Sequence, residues 1–346
     1  MKDYINKMTI PGLLVVTAIA FPAWALGKLV PVIGGPVFGI IIGMLLAFAK
    51  RPEKLEQGIK FTSKYILQLS IILLGFEMNL FNIFKVGGQS LAVMVFTLTS
   101  SFITAYLVGK AMKLDSSTTV LIGVGTSICG GSAIAATAPV IGAKDQEVAH
   151  AISTIFLFNV MAVFIFPPLG HLIGLSDFGF GMWAGTAIND TSSVVAAGAA
   201  WSSAAGNNTA LGFATIVKLT RTLMIVPITL VLAVYTTRKL RAKASADTAA
   251  SGSTGNLSII KIFPWFVLGF VLTAILNTFL PIPDSTSHLL VEIGKFMIVM
   301  AMTAIGLNTN IKKLLTNGIR PIGLGLSCWF VVAAVSLIVQ RVIGLM

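Results

Sequence analysis

Charged residues are scarce in this chain: Asp, Glu, Lys and Arg make up 10% of its 346 residues, against about 25% in a typical soluble domain. Cysteine is scarce too, since Cys129 and Cys328 are the only two, and both lie in apolar runs. The sequence contains no CxxC pair, no Cys/His cluster and no nucleophile–base pair at hydrolase spacing. It therefore supports no disulfide framework, no metal site, no cofactor and no enzyme.

Long apolar runs are what the chain has instead, and hydrophobic residues make up 56% of it. Runs of roughly 20 apolar residues recur along the whole length, which predicts an all-α polytopic membrane protein with one transmembrane domain over residues 1–346. The runs are continuous rather than alternating, which argues against an outer-membrane barrel. The candidate segments are 9–27, 34–49, 61–81, 89–109, 118–140, 148–169, 181–200, 209–236, 259–280, 290–308 and 319–343.

The net charge of +12 comes mostly from basic residues in short loops, a pattern of membrane orientation rather than of nucleic-acid binding. Loops 50–64 and 237–261 hold five Lys or Arg residues each, whereas loops 200–208 and 281–289 hold none. Placing the basic loops in the cytoplasm predicts a multi-pass protein with a cytoplasmic N-terminus. Residues 238–257 are polar, small and aperiodic, which predicts a flexible cytoplasmic linker.

Two segments rich in small residues lie inside this apolar sequence. In residues 125–138, 12 of 14 residues are Gly, Ala, Ser, Thr or Cys, and residues 185–198 match that segment at five of 14 aligned positions. This composition favours broken helices around a small solute, although close helix packing through small residues would explain 133–138 as well. If 118–140 and 181–200 both cross the membrane, the chain has 11 spans. If both are re-entrant, it has nine spans, and the two segments enter from opposite faces.

A second internal similarity, between residues 75–87 and 306–318, places an Asn between two glycines at the end of a span in both copies. With the topology above, these two spans run in opposite directions, as in the inverted repeats of secondary transporters. Chance is the alternative, because Gly and Asn are common at helix ends. The offsets of the two similarities are 60 and 231 residues, so one linear duplication does not explain both.

Ionisable side chains within apolar runs are costly, and each is therefore a candidate functional group. Lys218 and Arg221 lie three residues apart and hence on one helical face, and Asp190 lies in the second small-residue segment. We expect Asp190 to neutralise one of these cations, and Glu77 or an anionic substrate to neutralise the other. Asp190 and Glu77 are thus the predicted coupling or ion-pair residues. The alternative is a structural ion pair with snorkelling.

Uncharged polar groups and exposed backbone would complete a site for a polyatomic anion. Glycines permit unwinding of the first segment, hydroxyl groups add donors, and the second segment is the densest polar run in the apolar sequence. An interhelical polar clamp is the structural alternative for the second segment. The predicted substrate-binding residues are Thr126, Ser127, Cys129, Gly130, Gly131, Ser132, Asn189, Thr191, Ser192, Ser193, Lys218 and Arg221.

Four runs together resemble the sulfate exporter family, the YeiH-type bacterial inner-membrane proteins. They are GTSICGGSAIAATAPVI (125–141), GTAINDTSSVVAAG (185–198), VKLTRTLMIVP (217–227) and AIGLNTN (304–310), and the resemblance covers most of the chain. It implies export of sulfate or a related sulfonate across the bacterial plasma (inner) membrane. The Cys-Gly-Gly-Ser element also distantly resembles crossing-helix motifs of bile-acid and cation/proton transporters. That likeness implies a core domain that moves against a panel domain.

These observations predict a secondary active transporter for a small inorganic or organic anion that works by alternating access. Its partners would be the substrate, H⁺ or Na⁺ as coupling ion and the lipid bilayer, with no nucleic acid; a homodimer is compatible with the sequence. The main alternative is a cation/proton antiporter of related inverted-repeat fold, in which Asp190 carries the coupled ion. A channel and a membrane-embedded enzyme or receptor are further alternatives.

Overall fold

The structure is a computed structural model, which describes residues 9–31, 33–49, 51–225, 228, 231–232, 265–309 and 318–346. In those residues all regular secondary structure is helical, with 13 helices and no strand, which confirms the predicted all-α class. The helices are α1 (Ile10–Leu29), α2 (Gly35–Leu46), α3 (Glu53–Glu77), α4 (Leu80–Ala111), α5 (Ser116–Ser127), α6 (Gly131–Ile141), α7 (Asp145–Leu172), α8 (Asp177–Ala187), α9 (Thr191–Ala205), α10 (Thr209–Leu223), α11 (Trp265–Phe279), α12 (Asp284–Asn308) and α13 (Ile319–Val342).

Six of the described helices, α1, α3, α4, α7, α12 and α13, are long and apolar enough to cross a membrane. The helices α2, α6 and α11 are shorter but also apolar. α3 begins at Glu53 rather than at 61, because the charged stretch after Pro52 is itself helical. α4 begins at Leu80 rather than at 89, because the Asn79 side chain accepts a hydrogen bond from Phe81 N and so caps the helix.

Both small-residue segments fold as two helices with a break between them. α5 and α6 are separated at residues 128–130, and α8 and α9 at residues 188–190. Residues 116–141 are called the first hairpin and residues 177–205 the second hairpin, and the two breaks are their tips. The predicted linker 238–257 and parts of the predicted segments 209–236 and 259–280 lie outside the described residues.

The second hairpin returns to the end of the molecule at which it begins. Trp201 Nε1 donates to Asp177 Oδ1 (2.6 Å) and Asn207 Nδ2 donates to Asp177 Oδ2 (2.8 Å), so the end of α9 lies beside the start of α8. The C-terminal residue Met346 lies at the same place, because a Cβ on Gly179 would come within 3.2 Å of its Cα. This end of the molecule is called the Asp177 end.

The first hairpin also returns to its starting end, which is the opposite one. Leu114, before α5, and Ile141, at the end of α6, pack on the same apolar cluster. α7 then connects the two ends: His150, in its first turns, lies close enough to Asp115 to interact electrostatically, and its His171 stacks on Trp201. The hairpins therefore enter from the Asp115 end and the Asp177 end, which is the geometry of the re-entrant alternative.

The helices pack into two groups. α12 lies against α1, α2 and α3, and α11 lies against α3; these five helices are called the panel. α4 packs along α13 and α10, and both hairpins pack against α7 and α13; α4 to α10 and α13 are called the core. The backbones within the panel approach closely, since a Cβ on Gly43 would lie 2.4 Å from Thr303 O. Core and panel meet where α9 packs on α2 and α12, and also where α11 contacts α4.

Both internal similarities pair elements that run in opposite directions. α3 and α12, which the 231-residue offset relates, pack antiparallel: Gly294 faces Ser70 O, and Arg51, just before α3, donates to Leu307 O at the end of α12. The two hairpins, which the 60-residue offset relates, enter from opposite ends. Opposite directions are what an inverted repeat requires of both similarities. Residues 310–317 of the second copy lie outside the described residues.

Candidate functional site

The tips of the two hairpins meet inside the core. Gly130 ends the first break with φ +71°, in the left-handed region that favours glycine. A Cβ built on Gly130 would lie 3.5 Å from Asp190 Cβ and 3.5 Å from Asn159 Nδ2. The backbone turn therefore favours glycine here, and the distances show that the two tips are in contact.

Arg221 of α10 lies between the tips and is fully buried, with an exposed fraction of 0%. Its Nε donates to Ser127 O (2.7 Å) and its Nη2 donates to Thr126 O, both in the first hairpin. Its Nη1 donates to Thr186 O (2.5 Å) and to Ile188 O (3.3 Å), both in the second hairpin. One guanidinium group thus joins the two hairpins.

Lys218, one helical turn earlier in α10, also joins the two hairpins, and it too is 0% exposed. Its Nζ donates to Ile128 O of the first hairpin (2.8 Å) and to Ile188 O of the second (3.1 Å). It also donates to Asn189 O. An ammonium group has three N–H donors, so these three carbonyls use all of them.

The acceptors are the last carbonyl groups of α5 and α8 and the carbonyls that follow them. A helix leaves its final carbonyls without intrahelical partners, and its C-terminus carries about half a negative charge. In a bilayer interior each unsatisfied backbone group costs several kcal/mol. α10 therefore supplies both the donors and the positive charge that the two breaks require.

The predicted ion-pair partners of these cations have other contacts. Within the described residues neither Asp190 nor Glu77 forms an ion pair with Lys218 or Arg221. Glu77 is exposed at the Asp177 end, where it accepts a hydrogen bond from Asn208 Nδ2. Backbone carbonyls, rather than carboxylates, offset the two buried charges, a solution that the sequence analysis did not consider.

Asp190 is the N-cap of α9. Its Oδ2 accepts hydrogen bonds from the backbone N (3.0 Å) and from the hydroxyl of Ser192. Its own backbone N donates to Asn159 Oδ1 (3.1 Å), and Thr191 and Ser193 are buried beside it. Asn159 belongs to α7 and was not predicted to be part of the site. The signal that could have found it is an amide side chain within an apolar span.

The start of α6, in contrast, has no side-chain cap. Ser132 Oγ donates to Cys129 O (3.1 Å) and lies 2.9 Å from Cys129 Sγ, so it stays within its own turn. Ser132 is exposed, and a Cβ added to Gly131 would meet no described atom within 4 Å. The N–H groups and the positive dipole of this helix start are therefore available to an anion.

Two buried polar side chains at the tips lack partners within the described residues. Asn189 is 1% exposed, and both of its amide atoms are without a hydrogen bond. The hydroxyl of Thr126 is buried in the same condition. Buried polar groups are normally paired, so two unpaired ones at one place leave unused donor and acceptor capacity at the tips. All predicted substrate-binding residues thus lie at or beside the two tips, and only Glu77 lies apart.

A cavity of about 370 Å³ opens at the Asp177 end between panel and core. From the panel it is lined by Trp24, Lys28, Glu292 and Lys295, and from the core by polar residues of the second hairpin and the turn after it. The Lys28 ammonium lies 3.7 Å from the centroid of the Trp24 ring, and Lys295 Nζ lies 2.6 Å from Glu292 Oε1. The cavity is therefore polar and carries charges of both signs.

A family model described as conserved hypothetical protein 698 matches residues 11–325 of the chain. The chain is 50% identical over 342 residues to a UPF0324 membrane protein of Streptococcus agalactiae, which covers 98% of each chain. It is 48% identical over 350 residues to a UPF0324 membrane protein of Fusobacterium nucleatum, which covers 96% of this chain and 98% of the relative. The description of these relatives as membrane proteins agrees with the apolar helices.

Proposed function

The chain belongs to the family of conserved hypothetical protein 698, and we propose that it is a secondary transporter of a small anion. The observation that carries the proposal is the meeting of two hairpin tips around two fully buried cations, Lys218 and Arg221. Broken helices that meet in the membrane form the solute sites of many secondary transporters. A bundle without a solute site has no need of two breaks, because each break costs hydrogen bonds that α10 then has to replace.

The start of α6 is the proposed anion site. It lies next to both cations, since Ile128 O accepts from Lys218 and the helix starts at Gly131. The uncapped N–H groups of α6 and the hydroxyl of Ser132 would bind the oxygens of the anion, and the unpaired amide of Asn189 lies on the facing tip. Lys218 and Arg221 would act on the anion through their charge, since the carbonyls already use their hydrogen bonds.

The charge at the tips suits an anion with one negative charge. Each helix end carries about half a charge, and the four ends at the tips cancel. The two cations and the single Asp190 carboxylate leave about one positive charge. This balance favours a sulfonate or another singly charged oxyanion over sulfate, unless a proton accompanies the sulfate.

The cavity at the Asp177 end would give the anion access to the core. Its wall on one side is the panel and on the other the second hairpin, so a displacement of core against panel would change its size. The basic loops favour a cytoplasmic Asp115 end, and with that orientation the cavity would open outward from the bacterial plasma (inner) membrane. We propose export, which the resemblance to the sulfate exporter family implies.

Uptake into proteoliposomes tests this function. Radiolabelled methanesulfonate and sulfate would be offered to the purified protein, with counterflow against the unlabelled anion to distinguish a carrier from a channel. We expect counterflow with methanesulfonate. The variants Gly131→Ala and Ser132→Ala should lower uptake, because they narrow the start of α6 or remove its hydroxyl donor. Ser63→Ala, at a half-buried serine on α3 whose hydroxyl donates to Lys60 O, is the matched control. Absence of uptake for every oxyanion, with Na⁺/H⁺ exchange instead, would overturn the proposal.

A cation/proton antiporter is the second candidate, and Asp190 is the observation that favours it. Its carboxylate lies at the tips with its Oδ2 bound only within its own turn. If Asp190 carries the coupled ion, Asp190→Asn should abolish a cation-driven pH change recorded with a dye inside the liposomes. The anion proposal expects Asp190→Asn to retain most anion uptake, with a stronger effect from Arg221→Ala measured on protein that remains folded.

A further inference from the structure

Six backbone carbonyls converge on the two buried cations at the hairpin tips. Three belong to residues 126–128 and three to residues 186, 188 and 189, and together they accept seven hydrogen bonds from α10. Carbonyls at unwound backbone and at the C-terminal ends of half-helices are the groups that coordinate Na⁺ in coupled secondary transporters. In this chain the same type of oxygen cage is present, but nitrogen atoms of the protein itself fill it.

We infer that Lys218 and Arg221 are resident cations in the place of a coupling Na⁺, so that anion transport by this chain runs without a Na⁺ gradient. The statement about Na⁺-independent transport rests on the proposed function. The statement that Lys218 and Arg221 occupy the cage does not depend on it. A tethered cation neutralises the carbonyls permanently. It neither enters nor leaves with the substrate, and it therefore cannot draw energy from an ion gradient.

The chemistry of the cage excludes a third cation beside Lys218 and Arg221. All three N–H donors of Lys218 are used, and its ammonium group is 0% exposed, so no gap remains at that position. A Na⁺ ion would have to take oxygens from Lys218 or Arg221 and would lie within a few ångströms of two positive charges in a medium of low dielectric constant. The cage thus selects against free cations.

Removing the tethered charge should turn the cage into a Na⁺ site. In Lys218→Ala, Ile128 O and Asn189 O lose their donor, and Ile188 O keeps only the longer hydrogen bond from Arg221 Nη1 (3.3 Å). The three carbonyls then surround an open space. Lys218→Met is the matched variant, because its side chain removes the charge and still fills the space. Purified proteins would be unfolded by heat in NaCl and in choline chloride at equal ionic strength, with no substrate present.

We expect the wild-type midpoint to be the same in the two salts. The midpoint of Lys218→Ala should be lower in choline and should rise saturably with Na⁺ by several degrees, as expected when a ligand binds only the folded state. Lys218→Met should be lowered equally in both salts. A folded Lys218→Ala protein without a Na⁺ response would overturn the inference, and so would a saturable Na⁺ effect on the wild type.

If Lys218→Ala does not fold, the wild type decides. Its midpoint and its methanesulfonate uptake would be compared in NaCl and in choline chloride, and Na⁺ dependence of either one would overturn the inference. The two proposals fail separately in this design. If Lys218→Ala responds to Na⁺ but the wild type transports no anion, the inference about resident cations stands. Only the proposed transport function is then refuted.

Discussion

The two hairpins of the core have the same outline but are held in different ways. In the second hairpin Asp177 binds Trp201 across the base, and the Trp201 ring is stacked between His171 (3.9 Å) and Phe180 (4.1 Å). Residues 191–202 of α9 are all buried. The first hairpin has an apolar base, and its α6 exposes Ser132, Ala135 and Pro139 on one face.

The second helices of the two hairpins, α6 and α9, also begin differently. Asp190 occupies the start of α9 with its own carboxylate, whereas the start of α6 has only Gly130 before it and no side-chain cap. The second hairpin is therefore a closed element whose helix starts are capped by its own side chains, although the amide of Asn189 has no partner within the described residues. The first hairpin keeps unused donors at the start of α6, and the comparison teaches that two hairpins of the same outline need not be capped in the same way.

The largest effect is expected at Arg221, because both hairpins depend on this cation and a variant there affects them together. Arg221→Met leaves Thr126, Ser127 and Thr186 carbonyls without donors at both tips. Loss of one partner from a buried charged network costs about 3–5 kcal/mol, so we expect a low yield of folded protein and a much lower midpoint of thermal unfolding. Arg320→Met, at an exposed arginine, is the control. A wild-type midpoint in Arg221→Met would contradict the role assigned to the cage.

Adjacent glycines at the first tip separate structure from binding. Gly130→Ala places a side chain at φ +71°, which costs about 1–3 kcal/mol of stability. Gly131→Ala meets open space, so we expect a wild-type unfolding midpoint with reduced methanesulfonate binding. Thermal unfolding and equilibrium binding on the same preparations check both expectations. Equal destabilisation by the two variants would show that the start of α6 is packed rather than open.

The base of the second hairpin can be loosened alone. Trp201→Phe keeps a stacked ring but removes the Nε1 donor to Asp177, at a cost of about 1 kcal/mol. Amide hydrogen exchange should become faster in residues 177–207 and stay unchanged in residues 116–141. Faster exchange in both hairpins would mean that their bases are not held independently.

The smallest effects are expected at the first helix of each hairpin, because α5 and α8 both begin with a side-chain cap. Asp115 accepts a hydrogen bond from Thr118 N, and Ser176 accepts one from Gly179 N, each at 3.0 Å. Asp115→Ala and Ser176→Ala should each cost about 0.5–1 kcal/mol at neutral pH. Measured midpoints that differ strongly between the two variants would contradict this symmetry.

Acid should distinguish these two caps. Partial burial raises the pKa of the Asp115 carboxyl, but the hydrogen bonds from Thr118 lower it by more. The pKa of Asp115 therefore lies below its ordinary value. The contribution of Asp115 is therefore present above about pH 4 and is lost as the pH falls through the lowered pKa. Ser176 does not titrate, so Ser176→Ala should lower the midpoint of thermal unfolding by the same amount at neutral pH and in acid.

The sequence predicted the all-α class and the two breaks because their signals are local. A continuous apolar run marks a span, and the glycines and hydroxyl residues at 125–132 and 185–193 mark the tips. The ends of helices were less accurate, as α3 and α4 show. α3 includes the charged stretch after Pro52, and the cap formed by Asn79 starts α4 nine residues before the predicted segment.

The contacts of Lys218 and Arg221 could not be predicted in the same way. The rule that a buried cation needs a counter-charge suggested carboxylates, and Asp190 and Glu77 were the available ones. The structure uses carbonyl groups, which every residue carries, so no side-chain pattern in the sequence records them. Asn159 was missed because a lone amide in α7 shows no spacing relation to the residue that it binds.

The position of Arg221 in the chain has a consequence for the order of biosynthesis. Both hairpins leave the ribosome before α10, so their final carbonyls lack donors until residue 221 has been made. At roughly 5–20 residues per second, the first hairpin waits several seconds after its own completion. During that interval it cannot settle in the bilayer interior with its polar ends satisfied. We therefore expect nascent chains that stop before α10 to be recognised as incomplete by the membrane quality-control proteases, and chains that extend beyond it to be stable.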